Sequence, residues 1–117
     1  MFDGVKFLHM SGNDMNRIDR LRAFIARNPA DAFSRHALAL EYIKIGQDAA
    51  AKLELETLLS NDPGYVGSYY HLAKLLEALG AKEDAIGIYE RGMEASAAAG
   101  DQHAYRELQA AYEDLTY

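Results

Sequence analysis

From Asn13 onward, apolar positions recur every three or four residues, and no window alternates strictly between apolar and polar. Helices are therefore predicted, and the sparse Val, Ile and Thr give strands little support. Six helices follow, at roughly 14–27, 32–45, 48–60, 66–79, 82–98 and 101–115. The first puts Ile18, Leu21, Phe24 and Ile25 on one face and ends at Asn28-Pro29. The third carries Leu53, Leu55, Leu58 and Leu59 and stops at Asn61-Asp62-Pro63. Gly46 and Gly80 fall just past the second and fourth helices, where φ is often positive and a β-carbon is penalised. Linkers this short fold neighbouring helices back as antiparallel hairpins.

The chain also repeats itself. Pro29 and Pro63 are 34 residues apart, as are Gly46 and Gly80, and a further step back reaches Gly12. The same offset relates Leu38 to Leu72, Ala39 to Ala73, Ala51 to Ala85 and Leu55 to Tyr89. That is a helix–turn–helix array. Ala39, Ala73, Ala51 and Ala85 permit close helix approach, with Leu38 and Leu72 filling the space beside them. The chain resembles the tetratricopeptide repeat (TPR) family on these residues, together with Tyr42, Tyr69, Tyr105, Leu108 and Tyr112. It departs from the pattern at Arg35 (for an aromatic), Leu55 (for the second aromatic), Leu76 (for tyrosine), Ala97 (for the closing proline) and Gln109 (for a small residue).

The resemblance covers about residues 13–115 and implies an all-α fold: a short right-handed α-solenoid of antiparallel hairpins. The expected organisation is a leader over 1–12, a half repeat over 13–28, repeats over 29–62 and 63–99, and a capping helix over 100–117. Gln109 then sits on the polar outer face of the cap. The leader is either disordered or packed on the first repeat, and Met10 and Met15 are alternative starts.

At 117 residues the chain has the size of one domain and can bury about two-thirds of its unfolded surface. Cysteine is absent, which excludes disulfides and thiolate metal sites. A formal charge of −6 disfavours general binding to nucleic acid or anionic membranes. The opening MFDGVKFLHMSG does not read as a signal peptide, and no segment approaches the ~20 apolar residues of a membrane span. A soluble, cytoplasmic protein is expected.

Candidate chemistry is thin. His9, His36, His71 and His103 include no i, i+4 pair and no H-E-x-x-H. No serine lies in G-x-S-x-G, and no glycine-rich loop has phosphate-cradle spacing. Glu54, Glu56, Asp84 and Glu94 read as a solvated helix face, some paired with Lys or Arg. Gly87 and Gly92 lie inside a helix, Gly92 as a point of close packing and Gly87 without a reason. No cofactor, metal or enzymatic activity is expected; a small hydrolase or metal-binding protein is the remote alternative.

The informative feature is a second stripe on the first helix of each hairpin. It comprises Phe33, His36, Leu40, Ile43 and Lys44 on the second helix, and Gly67, Tyr70, Lys74 and Glu77 on the fourth. On the sixth it comprises His103, Arg106, Ala110 and Glu113. The family resemblance implies that such faces line a concave groove for a peptide or partner helix, here one with an apolar anchor and a carboxylate near Lys74 or Arg106. Phe33, His36, Leu40, Ile43, Tyr70, Lys74 and Arg106 are the expected contacts. His36 and Leu40 stand where the family's chaperone-tail clamp has a basic residue and an asparagine. Three occupants stay open for the apolar end: the chain's own residues 2–8 (FDGVKFL), a ligand, or a second copy in a homodimer. Self-association through this stripe, as a structural or regulatory subunit, is the main functional alternative.

Overall fold

The computed structural model describes residues 12–117, with side chains from Asn16 onward. Residues 1–11 of the leader, including His9, Met10 and FDGVKFL, lie outside them, and Gly12, its last expected residue, instead opens the first helix. Six helices are present among the described residues: α1 (Gly12–Arg27), α2 (Ala32–Lys44), α3 (Asp48–Asn61), α4 (Gly67–Ala78), α5 (Lys82–Ala99) and α6 (Gln102–Thr116). Each end lies within two residues of its sequence expectation, and no strand occurs among these residues. The chain divides inside α3 into two compact units, one ending at Glu54 and one running Leu55–Tyr117.

The period of 34 extends to the hydrogen bonds. Gly46 N–H donates to Ile43 O at 3.0 Å and Gln47 N–H to Tyr42 O at 2.8 Å; Gly80 and Ala81 donate to Glu77 and Leu76 at the same two distances. These bonds satisfy carbonyls that the ending helix leaves open. They need the left-handed conformation that Gly46 (φ 78°) and Gly80 (φ 80°) adopt. Gly100 (φ 72°) closes α5 in the same conformation. At the opposite ends, Asp31 N–H donates to Asn28 O at 3.0 Å and Tyr65 N–H to Asp62 O at 3.1 Å.

In the first unit α1 packs on α2. Ile18, Ile25 and Leu38 form the buried centre, flanked by Leu21, Tyr42 and Ile45. Phe24, expected on that apolar face, is instead 41% exposed. It lies ~100° around the helix from Ile25, past the edge of the stripe that α2 covers. Leu53, grouped with the other leucines of α3, is also exposed, at 62%. Glu41 is buried and charged, and is compensated by Arg17 Nε at 3.1 Å and Lys44 Nζ at 3.6 Å. Asp31 caps α2, its carboxylate accepting from Ser34 N–H at 2.9 Å.

Arg35 explains its departure from the repeat pattern. Tyr69 Oη donates to the carbonyl of Pro63 at 2.5 Å, and Arg35 Nη2 donates to the carbonyl of Pro29 at 2.9 Å. The guanidinium thus makes, one repeat earlier, the bond the aromatic makes. Its Nη1 donates to Glu54 Oε1 at 2.9 Å, with both side chains mostly buried. Glu54 is therefore a structural partner rather than part of a solvated face.

In the second unit α5 packs on both α4 and α6. Leu55, Leu58, Leu59, Tyr69, Leu72, Ala73, Ala85, Tyr89 and Leu108 are all buried. Gly92 is the point of closest approach: a β-carbon there would lie 2.7 Å from Tyr69 Cβ and 3.0 Å from Leu108 Cδ1. The Tyr69 ring also carries Arg91, whose Cζ is 5.8 Å from the ring centroid. One turn beyond Gly92, buried Ser96 donates from Oγ to the Gly92 carbonyl at 2.8 Å. Asp101 caps α6 by accepting from Ala104 N–H at 3.0 Å.

Candidate partner-binding face

The seven expected contact residues fall on the first helices of the hairpins, four in the first unit and three in the second. On α2 only Phe33 is well exposed, at 72%; His36, Leu40 and Ile43 are half-buried. Phe33 lies in the first turn of α2, directly after the Asp31 cap, so its backbone is held by the cap while its ring stands in solvent.

The second unit presents a more ordered row. Tyr70 is half-buried, and its ring meets that of His71 edge-on, with centroids 5.8 Å apart. One turn on, exposed Lys74 places Nζ 3.6 Å from Glu77 Oε1. The other Glu77 oxygen accepts from the Tyr89 hydroxyl, which reaches across from α5. Burial raises the Tyr89 hydroxyl above the ordinary tyrosine range, and the Glu77 bond adds to the rise. Tyr89 therefore stays protonated and fixes Glu77, beside which Lys74 stands exposed. Burial also holds the His71 imidazole below its usual range against the opposing effect of Glu107, so the ring is neutral near pH 7.

Arg106 does not join Lys74. Its Nη2 donates to Gln102 Oε1 at 3.3 Å, and it lines a cleft of about 510 Å³ with Tyr105, Gln109 and the end of α5. α6 instead places Glu107 near His71 of α4 and Asp114 near Tyr89 of α5. The sequence reading passed over these two carboxylates. Their i, i+7 spacing was the available signal, but which face of α6 meets α4 depends on packing.

No group of three or more His, Asp or Glu side chains suited to a metal ion occurs among the described residues. Nor is any described helix long and apolar enough to cross a membrane.

No protein-family model matches the chain, and no curated protein matches it. Solved structures do. The tetratricopeptide repeat domain protein of Salinibacter ruber, in solution, is 42% identical over 75% of this chain and 89% of its own, with a TM-score of 0.72. A protein from Bordetella parapertussis is 31% identical over 84% of this chain and 85% of its own, also at 0.72. The TPR2B domain of yeast Sti1, in complex with an Hsp70 peptide, reaches a TM-score of 0.81 over 97% of this chain and 90% of its own, at 18% identity. Hairpin closures repeated bond for bond at the offset of 34, together with the Salinibacter similarity, settle the assignment: the chain belongs to the tetratricopeptide repeat family.

Proposed function

We propose that the protein is a non-catalytic protein–protein interaction module that takes a peptide or a partner helix on the first-helix faces of its hairpins. The observation that carries this reading is the row of Tyr70, Lys74 and Glu77 on α4, in which Tyr89 reaches across from α5 and holds Glu77 in place. A recognition surface gains affinity when its polar groups are held in place before the partner arrives, because less freedom is lost on binding. Phe33, His36, Leu40 and Ile43 of α2 supply a more apolar surface of the same kind, and Arg106 contributes from the cleft on α6. The peptide complex of the Sti1 domain supports this use of the fold. It does not extend to chaperone tails, because His36 and Leu40 replace the clamp residues.

The test is capture of partners from native cell extract by the wild type and by Tyr70→Ala with Lys74→Glu. Both side chains lie outside the core, so the double variant keeps its helicity and loses capture. Capture undiminished in a folded double variant places the binding surface elsewhere.

A further inference from the structure

The charge of the chain is unevenly distributed. Residues 55–117 carry eleven acidic and four basic side chains, residues 1–54 seven and eight. On α1, Arg20, Phe24 and Arg27 lie within ~60° of one another at ~100° per residue, forming one stripe, and all three are exposed. On α6, Glu107, Ala110 and Asp114 form an equally narrow exposed stripe. The first stripe is spaced four then three residues; the second, read backwards from Asp114, is also spaced four then three. Each spans ~10 Å of helix.

We propose that α1 of one copy docks antiparallel on α6 of a second copy, so that the molecule associates head to tail. Arg20 meets Asp114, Phe24 covers Ala110, and Arg27 meets Glu107. The pairing places an exposed aromatic over a residue small enough to admit it, between two charge pairs of opposite sign. The interface is heterologous, because α1 and α6 are different surfaces. Each copy therefore keeps one free stripe of each kind, and association continues to chains or closed rings. This proposal rests on the reading of the first-helix face of α6 as a binding surface, and it names a second copy as its occupant.

Sedimentation velocity on the full chain tests it, from ~10 μM to ~1 mM protein, at ~20 mM and ~500 mM salt. The expected result is a mass that rises with concentration above 13.0 kDa at low salt and an association weakened at least ~10-fold at high salt. Arg20→Glu with Arg27→Glu, and separately Glu107→Arg with Asp114→Arg, each abolish association alone. Mixing the two variants restores it, because each then offers the stripe the other lacks. Circular dichroism confirms that both stay folded. A wild type fixed at 13.0 kDa throughout overturns the proposal. So does association indifferent to salt, which indicates an apolar seam, or a mixture that stays monomeric. If these fail while Tyr70→Ala with Lys74→Glu still abolishes capture, the binding face stands and only its occupant is wrong.

Discussion

Gly87 and Gly92 sit five residues apart on α5 and should respond oppositely to one methyl group. A β-carbon at Gly87 meets nothing within 4 Å, whereas at Gly92 it would collide with Tyr69 and Leu108. Gly87→Ala removes the helix penalty of glycine and should stabilise by ~0.5–1 kcal/mol. Gly92→Ala gains the same propensity but forces α5 away from its neighbours, for a net loss of ~1–3 kcal/mol. Chemical denaturation of the two variants checks both signs. Asp31 gives a residue-scale prediction in pH. Its bonds from Ser34 hold the carboxyl below its ordinary value of 3.8. A lowered folded pKa means stability that is present above the unfolded value and lost as pH falls through the folded one. The melting-temperature gap between wild type and Asp31→Ala should be full at neutral pH and close below about pH 4. A gap that persists in acid would show that the charged cap is not its source.

At the scale of the element, Gly80→Val should cost more than ~1 kcal/mol, because valine is strained at positive φ and the closure of α4 onto Ala81 depends on that conformation. An unchanged melting curve would refute the role of this helix stop. Helix ends of this kind were legible in the sequence because glycine and proline act locally. The 34-residue offset was legible because the same contacts recur at the same spacing. Exposure was less so: Phe24 and Leu53 have helical spacing, but spacing says which residues share a face and not whether another helix covers it. Glu54 was misread for a related reason. Its charge suggests water, yet it pairs with Arg35, whose guanidinium replaces an aromatic by donating to the carbonyl of Pro29.

For the whole molecule, the family and the helix order of the described residues were readable in the sequence, while the candidate face was readable only in outline. Tyr70 and Lys74 could be placed on the correct helix from period alone. Tyr89 holding Glu77, Glu107 beside His71, and Arg106 turned toward the cleft all depend on how α4, α5 and α6 pack. The most direct measurement of recognition through α4 is photo-crosslinking with a benzophenone side chain in place of Tyr70, compared with the same group at exposed Leu53 on α3. Adduct formation concentrated at position 70, to a second copy or to another protein, is the predicted result. Adducts at position 53 alone, or equal yields at both positions, would contradict it.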